Sequence, residues 1–164
     1  CRASVDYLIS EYENVLLALS TITGNMMSEK SLCNTIEIYN EHNAVMRKFA
    51  EISNLHLDII TPVIRHAVMK SAFFFEKSEH SAIVKDITEG LEQLPSHPFS
   101  GKKVVLTGIT AEPDDILEIL AENKIAVAGD DLAQEMRQYR TDTPSKGGGG
   151  LKRLALQWLS RIHI

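Results

Sequence analysis

The segment Leu94-Pro95-Ser96-His97-Pro98-Phe99-Ser100-Gly101 constrains this chain more than any other. Two prolines and a glycine within eight residues cannot continue a helix. Each proline lacks the N–H that a helical bond needs, and its ring collides with the preceding turn. The apolar period also changes across the segment. Upstream, apolar residues recur at steps of three and four, the spacing of one helix face. Downstream come short β-branched runs ending in glycine, the mark of strands. The sequence therefore predicts a helical region at 1–94, a linker at 95–101 and the start of an α/β region at 102–164.

Four helices are expected upstream. In the first, Val5, Leu8, Ile9, Tyr12, Val15, Leu16 and Leu19 share a face, and Gly24-Asn25 supplies a stop. The second runs from Ser28, a plausible N-cap, to about Ser53. Leu32, Ile36, Tyr39 and Met46 fall on one side and Ile38, Val45, Phe49 and Ile52 on an adjacent one; the combined arc covers more than half the circumference, so the helix should pack against more than one neighbour. His42 lies inside that arc and reads as a satisfied interior polar group. Thr61-Pro62 opens a third helix, since proline suits a first turn whose N–H groups go unpaired anyway. Phe73, Phe74 and Phe75 point three ways, which predicts that protein surrounds them. The fourth helix is expected over about Ser78 to Leu94.

Downstream, Lys102 to Gly108 reads as a parallel strand buried on both faces. Pro113 opens a helix, with Asp114 and Asp115 favourable at its positive end. Ile125 to Gly129 reads as a second strand, Leu132 to Arg140 as helical, Gly147 to Gly150 as a flexible tract and Leu151 to Arg161 as a last helix. The fold class is thus mainly α with a small α/β part: a helical bundle followed by an incomplete Rossmann-like βαβ unit. Two strands alone make a poor parallel sheet, so the chain is expected to be a piece of a longer polypeptide, or completed by a partner. The unfinished sheet leaves apolar edges, which predicts self-association.

Composition removes several functions. There is no apolar run long enough to span a bilayer. The net charge of -5 argues against nucleic acid. Two cysteines, Cys1 and Cys33, form neither a disulfide framework nor a C-x-x-C site, which fits a reducing, cytoplasmic setting. The six histidines, His42, His56, His66, His80, His97 and His163, show no metal-ligand spacing. No metal site and no catalytic residue are expected from this chain alone. His66 and Lys70 share a face, as do Arg137 and Arg140, and either pair has the charge to meet an acidic ligand or simply to face solvent.

Open α/β sheets bind ligands beyond the carboxyl ends of their strands. Those ends fall at Thr107-Gly108 and at Asp130-Asp131. Thr107, Gly108, Asp130, Asp131, Gln134 and Arg137 are therefore the candidate substrate-binding residues. Helix capping by the two aspartates is the competing account. There is no glycine-rich phosphate loop of either common type.

Several long segments, in order, carry a resemblance: Gly101 to Ile109, Glu112-Pro113, Ile125 to Glu135, Arg137 to Arg140 and, upstream, Ile36 to Arg47 and Arg65 to Ser71. Together they resemble the (R)-2-hydroxyacyl-CoA dehydratases, in one superfamily with the benzoyl-CoA reductases. The resemblance spans about residues 3 to 161. It implies an iron–sulfur subunit of a heterodimer, with a 4Fe–4S cluster on three cysteines. It also implies a second dehydratase subunit, an ATP-dependent activator that delivers one electron, and an acyl-CoA substrate dehydrated through a ketyl radical to a 2-enoyl-CoA. An aromatic acyl-CoA reductase subunit and a non-catalytic helical interaction module are the alternatives. The cluster cysteines are missing from the matching positions, where Ala133 follows the Gly-Asp-Asp run. This chain alone is expected to be an inactive interior fragment without a cofactor.

Overall fold

Helix formation follows the apolar period closely. A computed structural model describes residues 2–162. It contains α1 (Arg2–Thr23), α2 (Glu29–Ser53), α3 (Pro62–Ser71), α4 (Lys77–Glu92), β1 (Lys102–Gly108), α5 (Asp114–Glu122), β2 (Ile125–Leu132), α6 (Met136–Tyr139) and α7 (Gly150–Ile162). Among the described residues the fold is mainly helical, with one small parallel sheet. No described helix is long and apolar enough to cross a membrane.

The chain forms two compact units, Cys1–Asn40 with Thr141–Ile164, and Glu41–Arg140. The first part of α2 belongs to one and the rest to the other. The helices α3 and α4 and the βαβ element share the second unit, so the grouping does not follow the proline-rich segment. That segment carries neither helix nor strand over 95–100.

In the first unit α7 packs along α1. Leu8, Ile9, Tyr12 and Leu16 are half-buried, while Val15 and Leu19, expected on the same face, are exposed. α7 starts where Gly150 N donates to Glu29 Oε1 (2.6 Å). A Cβ on Gly150 would sit 2.7 Å from the Leu32 side chain, so only glycine permits this close approach to α2. Asn40 and Thr143 bond reciprocally, Asn40 Nδ2 to the Thr143 carbonyl and Thr143 N to Asn40 Oδ1, both 2.8 Å. Arg153 Nη2 donates to Glu37 Oε1 (3.0 Å).

The second unit holds the main core. Val45, Met46, Phe49 and Ile52 of α2 meet Met69 of α3 and Val84 and Leu91 of α4. The arc on α2 is wide because two helices use it. Thr61 Oγ1 caps α3 by accepting from Ile64 N (3.3 Å), with Pro62 in the first turn as its sequence predicts. α4 begins earlier than expected, because Glu76 caps it by accepting from Ser78 N (2.9 Å) and Glu79 N (3.2 Å). A smaller cluster, Ala111, Leu117 and Leu132, packs with Val63, Leu106 and Leu120.

Three local expectations are corrected. β1 is not buried on both faces: Val104 and Leu106 are half-buried, but Lys103, Val105 and Thr107 are exposed. The alternation of a one-faced strand wins because the described residues cover only one side. β2 runs on through Leu132 and the following helix shrinks to Met136–Tyr139. A register shift at Val104/Val105 lets pairing continue, Thr107 opposite Asp131 and Gly108 opposite Leu132. Ala133 N and Gln134 N then donate to the carbonyls of Gly108 (3.1 Å) and Ile109 (3.0 Å), which removes them from any helix. Phe73, Phe74 and Phe75 are exposed, because α3 ends at Ser71 and the triplet lies in the turn that follows.

Candidate functional site

The carboxyl ends of β1 and β2 carry the candidate residues, all within the second unit. Asp130 enters this region from the last turns of β2 with its side chain fully buried. A buried carboxylate must be matched by donors, and this one is. Oδ1 accepts from Leu132 N and Met136 N, both 3.1 Å. Oδ2 accepts from Arg65 Nη2 at 2.6 Å. Asp130 is not the N-cap residue of α6, which is Glu135, but one of its oxygens bonds the backbone N–H groups at Leu132 and Met136 and an ion pair takes the other.

Asp131 faces the opposite way, as alternation along a strand requires. It is exposed and grips Arg137, with Nε donating at 3.0 Å and Nη2 at 2.6 Å to its two oxygens, while Arg140 Nη1 adds a third bond at 3.2 Å. These bonds hold the Asp131 carboxyl below the usual carboxylate range and raise Arg137 in turn, the Arg137–Asp131 hydrogen bonding being the main cause in both cases. Arg137 and Arg140 thus turn first to a neighbour on their own loop.

Asp130, Asp131 and Arg137 border one cleft of about 370 Å³, together with Arg47, Arg65 and Arg140. Arg47 Nη1 donates to the Tyr139 carbonyl at 2.6 Å. The other three candidates are not in the cleft wall: Thr107, Gly108 and Gln134 lie on the exposed side of the same strand ends. Gly108 has φ +144°, a conformation that side chains avoid, and its carbonyl receives Ala133 N.

Sequence reasoning missed Arg65 and Glu135. Arg65 Nη1 donates to Glu135 Oε2 at 2.7 Å, and His66 Nδ1 lies 2.8 Å from Glu135 Oε1. A carboxylate accepts, so Nδ1 carries the proton. His66 Nε2 is buried and has no hydrogen-bond partner among the described residues, lying 3.8 Å from Glu112 and Asp114. Lys70 pairs with Glu112, which keeps the Glu112 carboxyl below its ordinary range. The face shared by His66 and Lys70 is therefore split: the imidazole is buried and the ammonium half-exposed.

The residues do not fit a three-cysteine iron–sulfur cluster. Cys33 is half-buried on α2 with its thiol 3.4 Å from Glu29 Oε1, and Cys1 and His163 fall outside the described residues. Among the described residues no group of three His, Cys, Asp or Glu side chains is placed to hold a metal. Anaerobic reconstitution of this chain with iron and sulfide should leave no stoichiometric iron after desalting; one cluster per chain would contradict this donor set.

Comparison with known proteins gives a consistent picture. Residues 2–164 match the family "2-hydroxyglutaryl-CoA dehydratase, D-component". The chain is 42% identical over 160 residues to the (R)-phenyllactyl-CoA dehydratase beta subunit of Clostridium sporogenes, a match covering 98% of this chain and 42% of that protein. It is 44% identical over 157 residues to the lactoyl-CoA dehydratase subunit beta of Anaerotignum propionicum, covering 96% and 42%. The (R)-2-hydroxyglutaryl-CoA dehydratase subunit beta of Acidaminococcus fermentans is 31% identical over 156 residues, covering 95% and 41%. The chain spans about two fifths of the length of these relatives.

Proposed function

The chain belongs to the 2-hydroxyglutaryl-CoA dehydratase D-component family, and on that premise we propose that it is a segment of the beta-type subunit of an (R)-2-hydroxyacyl-CoA dehydratase. The observation that carries this reading is that nearly the whole of this chain matches about two fifths of each of two such beta subunits, at 42% and 44% identity. All three relatives are dehydratase subunits by name, which favours dehydration over the reductase and interaction-module alternatives. The reaction is loss of water from a 2-hydroxyacyl thioester to give a 2-enoyl thioester. A second subunit, an ATP-dependent activator and the ketyl-radical route belong to the whole enzyme in this reading. A cluster on the whole subunit would need thiols other than those of residues 1–164, so no step is assigned to iron here.

What these residues contribute is a wall of the acyl-CoA site. The cleft sits at the carboxyl end of β2, where open α/β sheets place ligands. The partly exposed guanidinium groups of Arg137 and Arg140 suit the phosphate oxygens of the CoA moiety or the carbonyl oxygen of the thioester. Asp131 orients Arg137 and Arg140, and Asp130 fixes the loop through two backbone N–H groups. Arg137 is the residue to change first, because it lines the cleft and is 37% exposed. In the whole subunit with its partner, Arg137→Ala should lower kcat/KM about tenfold, the scale of one lost substrate contact. An exposed ion pair adds little to stability, so the melting temperature should hardly move. Full activity with lost stability would make this loop scaffold and refute the assignment.

A further inference from the structure

Arg65 occupies the middle of α3, and its side chain is only 4% exposed. A charge buried to this degree persists only when its donors are matched. Its planar fork is matched by two acids at once, Asp130 at 2.6 Å and Glu135 at 2.7 Å. The next residue, His66, takes the other oxygen of Glu135 at 2.8 Å. Glu135 is thus held on both oxygens by consecutive residues of one helix. Asp130 in turn holds the backbone at Leu132 and Met136 with its second oxygen. All these bonds converge on residues 130–136, where β2 ends at Leu132, pairing with Gly108 and Ile109 carries the backbone on through Gln134, and α6 begins at Met136.

The cleft residues flank this clamp directly. Asp131 follows Asp130 in sequence, and Arg137 follows Met136. A shift of the loop by one residue would turn Asp131 inward and Asp130 outward, because side chains alternate along an extended chain. The buried Leu132 side chain and the pairing with β1 hold this register at the end of β2. The Arg65 fork extends that hold from Asp130 to Glu135, since its geometry is met by these two carboxylates.

We propose that Arg65 is a positioning residue: its guanidinium holds the 130–136 loop, and through it Asp131 and Arg137, in the arrangement that binds the acyl-CoA. This rests on the dehydratase reading above. His66 serves as the second strut of the same clamp. Lysine cannot replace Arg65, because one ammonium cannot present two parallel donors to two separated acids.

The test uses the whole subunit with its partner and activator. Two variants are compared with the parent: Arg65→Lys, and a combination of Arg65→Met, Asp130→Asn and Glu135→Gln. The second removes the cation together with both of its carboxylate partners, so no buried ion is left unpaired, and it protects the test if the first fails to fold. Amide hydrogen exchange over residues 130–140 and KM for an (R)-2-hydroxyacyl-CoA are measured on folded, active-fraction-corrected enzyme. The amides of Leu132 and Met136 should exchange at least about tenfold faster, which reports local opening. KM should rise about tenfold, as lost positioning predicts. A merely structural arginine would lower the melting temperature and the active fraction but leave KM alone. Unchanged exchange in both variants overturns the clamp. Faster exchange with unchanged KM overturns the positioning role. A parent pair that dehydrates no (R)-2-hydroxyacyl-CoA overturns the dehydratase reading instead, and loop exchange still decides whether Arg65 clamps the loop.

Discussion

Replacing Phe49 with alanine should destabilise the chain by about 3–5 kcal/mol, the range for a fully buried aromatic side chain. Phe49 has no exposed surface, and Met46, Met69 and Ala72 around it are also sealed from water. It stands where α2 meets α3 and α4, so its loss opens a cavity bordered by three helices. Such a site collapses poorly, because each helix is tied elsewhere: α3 by the Arg65 ion pairs, and α4 by its Glu76 cap. Urea unfolding followed by circular dichroism is the measurement, with Leu17→Ala as the control. Leu17 lies on α1 and is 67% exposed, so its replacement should stay within about 0.5 kcal/mol. A Phe49→Ala effect as small as that of the control would mean that this core is not the packed centre of its unit.

The contrast between those two positions marks how far the sequence can be read. Periodicity alone places Leu32, Ile36, Met46 and Phe49 on the buried side of α2, and they are buried, whereas Ile38 and Tyr39 of the same arc are exposed. Thr61-Pro62 announces the start of α3 through chemistry confined to one turn. Asp130 and Asp131 attract notice because strand ends are few and their ligand-facing side is known in advance. Arg65 offers no such signal. Its partners lie 65 and 70 residues away, and nothing around it distinguishes a buried arginine from an exposed one. The outer face of β1 is silent for a related reason. A β-branched run shows that a strand forms, but whether a second layer covers Val105 depends on residues far away in sequence. Phe73 to Phe75 mislead in the same manner: their apolar character is local information, and their exposure is set by where α3 happens to end.

His42 behaves as its position in the apolar arc suggests, and its partner makes it a pH-sensitive element. His42 Nε2 lies 2.9 Å from His80 Nδ1, His80 Nε2 lies 2.8 Å from Ser71 Oγ, and Ser71 Oγ donates to the Val68 carbonyl at 2.9 Å. With the serine proton spent on Val68, His80 must donate from Nε2 and accept at Nδ1, and His42 must donate from Nε2. Protonating His80 at Nδ1 would set two N–H groups against each other. Protonating His42 would place a charge in the core near Lys77. Burial and the Lys77 charge accordingly lower both imidazoles, His42 to about 4. In the unfolded chain a histidine titrates near 6.5. Above that pH both states are neutral and the contribution is complete. Below it the unfolded state takes up the proton first, so stability falls until the folded imidazole also titrates near pH 4. The shift of His42 corresponds to roughly 3 kcal/mol lost across that window. The exposed acid pairs, such as Asp131 with Arg137, weaken at lower pH, where their carboxylates protonate. Urea unfolding from pH 7.5 to 4.5 should show the loss in the parent chain. His42→Asn, which keeps a donor toward His80, should flatten most of the slope. Equal slopes in the two proteins would show that the imidazole pair is not the proton-linked element.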